Sequence, residues 1–169
     1  FKLALEDLFE PRQQNTRLML SRLAEACLIH CFQALLRQWS QLQNERFSLL
    51  ALGKLGGQEL TYHSDLDLLL VYESRASTDL AHLFARLLKK LRDEMETYTD
   101  LGQVYRLDFR LRPDGNLGPL AVSGTALQKY FENRVQPWER LAYVKLRPIA
   151  SFGDPFLLDS LIATPAFTG

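Results

Sequence analysis

The chain has 169 residues, 47% of them hydrophobic, which suffices for one good core and fits a single domain over 1–169. Twenty basic and twenty acidic residues cancel to zero net charge, which argues against a general nucleic-acid binder but not against a local basic cleft. No run approaches the ~18–20 apolar residues of a membrane span, and no signal peptide is visible.

Phe1 to Glu10 is mostly apolar and acidic and ends at Pro11. A long amphipathic helix is expected over about 16–43. Leu20, Leu23, Ala24, Cys27, Leu28, Cys31, Leu35 and Trp39 recur at three- and four-residue spacing. Cys27 and Cys31, the only cysteines, lie one turn apart on that stripe and read as buried thiols, since no further ligands stand at metal-site spacing.

Phe47 to Leu52 is short and apolar enough to be a buried strand. The glycine-rich turn Gly53-Lys54-Leu55-Gly56-Gly57 follows, with about one helical turn after it, and a second apolar run spans Leu66 to Tyr72. That run is entered through Ser64-Asp65-Leu66-Asp67. Side chains two apart on a strand share a face, so Asp65 and Asp67 project together. Two adjacent carboxylates repel unless a cation lies between them, and hard oxygen ligands suit Mg2+ or Mn2+. Gly56 and Gly57 add candidate phosphate-holding amides. A turn cap at Asp65 and an arginine partner for Asp67 would explain the same pair without a ligand. The spacing matches neither the dinucleotide-binding glycine pattern nor a Walker A loop.

Downstream, Ser77 or Thr78 is expected to cap a helix whose core stripe is Leu80, Leu83, Phe84, Leu87, Leu88, Leu91 and Met95. Lys89, Lys90 and Arg92 read as its solvated face. Val104 to Leu111 alternates strictly, with Tyr105, Leu107, Phe109 and Leu111 on one face and Arg106, Asp108 and Arg110 on the other. Asp108 is a candidate third carboxylate, and Arg110 or Arg112 a candidate phosphate ligand; a structural Arg–Asp ladder is the other reading. Pro113-Asp114-Gly115 with Gly118-Pro119 is turn chemistry leading to a short strand, Leu120 to Val122. Ser123 is expected to cap a helix to about Asn133. Further helices are expected over Trp138–Arg147 and Phe156–Ile162, with Glu139 and Arg140 as a surface pair. The expected class is α+β, a mixed sheet over 47–122 flanked by the long leading helix and by C-terminal helices over 123–163.

Strand, Gly-Gly, short helix, Ser-Asp-x-Asp and a third Asp on a later strand together resemble the polymerase-beta-like nucleotidyltransferase superfamily. The longer strings, Gly53 to Leu60, Ser64 to Asp67, Tyr105 to Gly115, and Trp138-Glu139-Arg140 with Lys145 and Arg147, resemble the glutamine synthetase adenylyltransferase family. The resemblance covers about 18–154. Trp-Glu-Arg followed by lysine at Lys145 looks like that family's N-terminal, deadenylylating half. Ala51 departs from a glycine frequent there. The family's enzymes are larger, so the chain, which opens at Phe1 and closes in a loop-like Thr164 to Gly169, is expected to be a piece of a longer polypeptide.

The resemblance implies a cytoplasmic enzyme acting on a tyrosine of glutamine synthetase, with ATP in one direction and phosphate, releasing ADP, in the other. It implies Asp65, Asp67 and Asp108 as catalytic metal ligands for Mg2+ or Mn2+. Phosphate would be held by Gly56, Gly57 and Ser64, helped by Lys54, Arg110 or Arg112. A PII-type signalling protein is an implied partner through the full-length chain, whereas nucleic acid and membrane are not. A polymerase-type transferase acting on RNA and a catalytically inert binding domain are the competing readings.

Overall fold

The computed structural model describes residues 13–74, 79–100 and 102–153. The expected Phe156–Ile162 helix, Phe1 to Glu10, and the cap at Ser77 or Thr78 lie outside them. The order is α1 (Gln13–Leu36), a 3-10 turn (Ser40–Leu42), β1 (Phe47–Ala51), α2 (Gly53–Gly56), β2 (Leu66–Tyr72), α3 (Leu80–Glu96) and β3 (Leu107–Asp108). A second 3-10 turn (Gly115–Leu117), β4 (Ala121–Ser123), α4 (Gly124–Asn133), α5 (Pro137–Tyr143) and β5 (Arg147–Phe152) follow. This is the α+β class expected, with a mixed sheet, a long leading helix and helices after the sheet's fourth strand.

β1 lies centrally, antiparallel to β2 on one side and to β5 on the other. The outer edge of β2 receives two short parallel strands in succession, β3 against Leu66 and Asp67 and β4 against Leu70 to Tyr72. Alternation along β2 divides the core. Leu66, Leu68 and Leu70 join α1 and α3 on one face, while Leu69 and Val71 join Leu127, Tyr130, Phe131 and Tyr143 from α4 and α5 on the other. Asp65 and Asp67 continue the row of Leu69 and Val71, so the same alternation delivers both acids to the α4–α5 side of the sheet.

Several local expectations change. α1 buries Ala24, Leu28, Phe32, Leu35 and Leu36, leaves Cys27 and Cys31 half-buried, and exposes Met19 and Leu23. Asn15–Leu36 is, by length and composition, apolar enough to cross a membrane, which corrects the reading that no such run exists; here one face of it packs on the sheet and α3. The cap of α3 is Asp79, whose side chain accepts from the His82 amide. Arg92 is half-buried rather than part of the solvated face, with its guanidinium 4.9 Å from the centre of the Phe109 ring.

The largest difference is β5. Residues 144–147 were expected to continue a helix, yet α5 stops at Tyr143 and Arg147 opens a strand. Pro148 lacks an amide to donate, and it is accommodated because β5 is an edge strand with a register shift opposite Leu49 and Leu50.

Candidate functional site

The site forms where β2 starts and β3 runs beside it. Asp67 and Asp108 are register partners across the two parallel strands, and Asp65 stands two residues upstream of Asp67. The predicted alternation of the third strand survives in burial, with Leu107 and Phe109 inside and Arg106 and Arg110 outside. Only Leu107–Asp108 is hydrogen-bonded as a strand.

The three carboxylates differ in how their charge is met. Burial first, then the charges of Asp108 and Asp65, push the half-buried Asp67 carboxyl up to about 6; Arg110 and Lys54 oppose that rise without cancelling it. Burial also raises Asp108, but hydrogen bonds from Arg110 outweigh it and hold this carboxyl below its ordinary value. Arg110 Nε donates to Asp108 Oδ2 at 2.7 Å and the Arg110 amide to Oδ1 at 2.8 Å. Asp65 has a looser partner, Arg106, at 3.9 Å. The corner is therefore short of positive charge at Asp67.

Gly53 makes room for that acid. A β-carbon at Gly53 would lie 2.4 Å from Asp67 Oδ2, and the residue adopts φ +53, a left-handed conformation that favours glycine. Lys54 approaches Thr61, which in turn exchanges a 2.8 Å hydroxyl hydrogen bond with Ser64. Lys54 and Ser64 thus join one polar chain leading to Asp65. His63, just before it, also takes a positive φ of 63, a strained conformation of the kind found around functional sites.

Gly56 and Gly57 do not act as expected. The Gly56 amide donates to the Leu52 carbonyl at 2.8 Å and the Gly57 amide to the Gly53 carbonyl at 3.1 Å, so neither is free for phosphate. Close packing accounts for Gly56, where a β-carbon would fall 2.1 Å from the Lys145 carbonyl oxygen. Arg147 fastens the same turn from β5, donating to the carbonyls of Leu55 and Gly56 and pairing with Glu25. Arg112 is also displaced from its expected place: it is 8% exposed and donates to the carbonyls of Phe109 and Gly118. It sets the turn after β3.

Two clefts flank the acids. One, of about 340 Å³, is polar and lined by His63, Ser64, Asp65, Tyr105 and Arg106. The other, of about 270 Å³, lies between the turn after β3 and α5 and includes Arg110, Arg112, Trp138 and Tyr143. The sequence reading omitted Arg106, Thr61 and Trp138 from the site. For Arg106 the signal was present, since it shares the polar face of the strand with Asp108. Glu139 is not a surface partner of Arg140: it accepts from Tyr130 and from the Gln136 amide, closing a capping box on α5.

Donor chemistry fits a divalent cation. All three acids offer hard oxygens, and the charge at Asp67 is the kind a cation relieves. Among the described residues no group of three His, Cys, Asp or Glu side chains is placed to hold a metal ion, and Arg110 pairs with the Asp108 carboxylate.

Comparison with known proteins places this architecture. The bifunctional glutamine synthetase adenylyltransferase/adenylyl-removing enzyme of Rhizobium meliloti (strain 1021) is 45% identical over 117 residues, 64% of this chain and 12% of its own length. The proteins of the same name from Nitrosococcus oceani and Mesorhizobium japonicum are each 38% identical, over 78% and 89% of this chain. The chain spans 15% and 17% of their lengths, so it corresponds to a minor part of each relative. The family model described as glutamate-ammonia ligase adenylyltransferase matches residues 1–157, and the chain belongs to that family.

Proposed function

We propose that this chain is a metal-dependent nucleotidyl-transfer domain, a single unit over 1–169, that removes AMP from a tyrosine of adenylylated glutamine synthetase. The observation that carries the reading is the register pairing of Asp67 with Asp108, with Asp65 two residues upstream of Asp67, and a charge at Asp67 that Arg110 and Lys54 offset only in part. Asp65, Asp67 and Asp108 would hold Mg2+ or Mn2+, which supplies charge neutralisation on the phosphorus centre when bound. An oxygen of orthophosphate attacks phosphorus, the bond from phosphorus to the tyrosine oxygen breaks, and the products are ADP and a tyrosinate that takes up a proton.

The side chains divide the remaining work. Arg110, which is exposed beyond its grip on Asp108, would offer its remaining donors to phosphate oxygens. Lys54 and Ser64 hold the phosphate group from the other side of the acids. Removal, rather than addition of AMP from ATP, rests on the resemblance of Trp138-Glu139-Arg140 and Lys145 to the deadenylylating half. The relatives' names cover both directions. A cytoplasmic setting and a PII-type regulator acting through a longer polypeptide belong to the same proposal.

The test uses adenylylated glutamine synthetase, phosphate and Mg2+. Asp65→Asn and Asp67→Asn should each lower ADP release by about three orders of magnitude, the loss expected for groups that act in the transition state. Wild-type rates in both variants would remove the site.

A further inference from the structure

Asp108 stands on the least supported strand of the sheet. Only Leu107–Asp108 is hydrogen-bonded as β3, and so short a ladder holds the acid opposite Asp67 weakly. The Arg106 carbonyl accepts from the Leu66 amide, so the main-chain groups of Tyr105 and Leu107 face away from β2, where a sheet edge would leave them open.

The last turns of α3 close that edge. The Tyr105 amide donates to the Met95 carbonyl at 3.3 Å, and the Leu107 amide to Glu96 Oε1 at 2.8 Å. Beyond Asp108, the Phe109 ring lies 4.9 Å from the Arg92 guanidinium. The residues on either side of the acid are thus gripped by two side chains one turn apart on a single helix.

Both grips are made at a cost. Glu96 is the last residue of α3, where a carboxylate opposes the helix dipole. Arg92 Nε is buried and meets no hydrogen-bond acceptor among the described residues, an unusual condition for a buried polar atom. An apolar side chain would cover Phe109 without that cost. What arginine adds is charge: burial raises the Asp108 carboxyl, the hydrogen bonds and charge of Arg110 lower it, and the charge of Arg92 lowers it further.

We propose that Arg92 and Glu96 are positioning residues for Asp108, fixing its two neighbours from α3 so that the acid stays opposite Asp67 for the cation the corner would hold. The proposal rests on the nucleotidyl-transfer reading above and adds to it two residues that act only through β3.

The experiment compares wild type with Arg92→Met, Arg92→Lys, Glu96→Ala and Glu96→Gln in Mn2+ titration followed by the electron paramagnetic resonance of the free ion, in thermal unfolding, and in ADP release from adenylylated glutamine synthetase. Arg92→Met and Glu96→Ala should each weaken Mn2+ about tenfold, the loss expected when a residue that orients a metal ligand is removed, and should lower kcat while leaving KM for the protein substrate unchanged. Glu96→Gln keeps an acceptor for the Leu107 amide and Arg92→Lys keeps the charge, so both should restore most of the affinity. The Glu96 pair decides the matter even if Arg92→Met does not fold. A lower melting temperature with wild-type Mn2+ affinity in Glu96→Ala overturns the proposal, as does an equal loss in Glu96→Ala and Glu96→Gln. If wild type binds Mn2+ more tightly than Asp108→Asn but releases no ADP, the nucleotidyl-transfer reading fails and the positioning of Asp108 stands.

Discussion

The glycine turn at α2 and the acidic corner where β2 meets β3 adjoin one another, yet they are built on opposite terms. In the turn, polar groups are met from inside the chain. The Gly56 and Gly57 amides bond within it, the Leu55 and Gly56 carbonyls receive Arg147, and Lys145 reaches Glu59 at 2.7 Å. In the corner, one carboxyl keeps a charge that burial and its neighbours disfavour. A region satisfied internally sets shape, and a region left short of charge is arranged for something else to bind. Gly53 belongs to both, since it opens the turn and clears the space that Asp67 fills.

The contrast is broken most severely by a single methyl group. In Gly56→Ala the new β-carbon would stand 2.1 Å from the Lys145 carbonyl and 2.9 Å from that of Ala51. Both are backbone atoms of paired strands or the segment entering β5, so neither yields cheaply. We expect a loss of about 3 kcal/mol in denaturant unfolding. In Gly57→Ala the nearest atom is the flexible Lys145 Cδ at 2.8 Å, and about 1 kcal/mol should be lost. Equal costs at the two glycines would show that the turn is not held as tightly as its contacts imply.

Arg147→Ala tests the same turn from the strand side. The substitution removes two hydrogen bonds to the α2 carbonyls and the partner of Glu25, all partly buried. About 2 kcal/mol should be lost, since the carbonyls are left with fewer donors. Charge alone does not explain the role: Arg147→Lys, with no planar fork to bridge two carbonyls, should recover less than half of it.

The sequence disclosed the acidic corner better than the glycine turn, for physical reasons. Strand alternation is a local rule, so Asp65 and Asp67 were assigned to one face from their spacing, while Asp108 was only a candidate third acid until the register of β3 against β2 set it opposite Asp67. The glycines were legible as a turn, but their purpose was not. What they make room for is Lys145, about ninety positions away, in a segment whose pattern reads as helix. β5 was missed for the same reason: Pro148 and an edge position give it no alternation to detect, and its pairing with β1 is purely tertiary. On α1, Leu23 fell on the expected stripe but outside the core, because that helix is apolar on more than one side and its spacing does not single out the face that packs.

The smallest expected effect is the most diagnostic of the corner. Asp67 has its folded-state pKa raised to about 6 from an ordinary 3.8, so between those values the folded protein keeps a proton that the unfolded chain has released. Its contribution to stability is therefore fully present below about pH 4 and is lost as pH rises through 6. At neutral pH the ionised carboxylate is a liability, and after allowance for its partial exposure to water the penalty is about 1 kcal/mol. Asp67→Asn, which cannot ionise, should be more stable than wild type by about that amount at pH 7.5 and should equal it near pH 4. Mn2+ should recover the difference in wild type and do little in the variant, because a divalent ion relieves the charge that asparagine lacks. Thermal unfolding of both proteins at three pH values, with and without Mn2+, measures all of this. If the two stability curves run parallel across that range, the carboxyl is already compensated within the chain, and the acidic corner is as self-sufficient as the turn beside it.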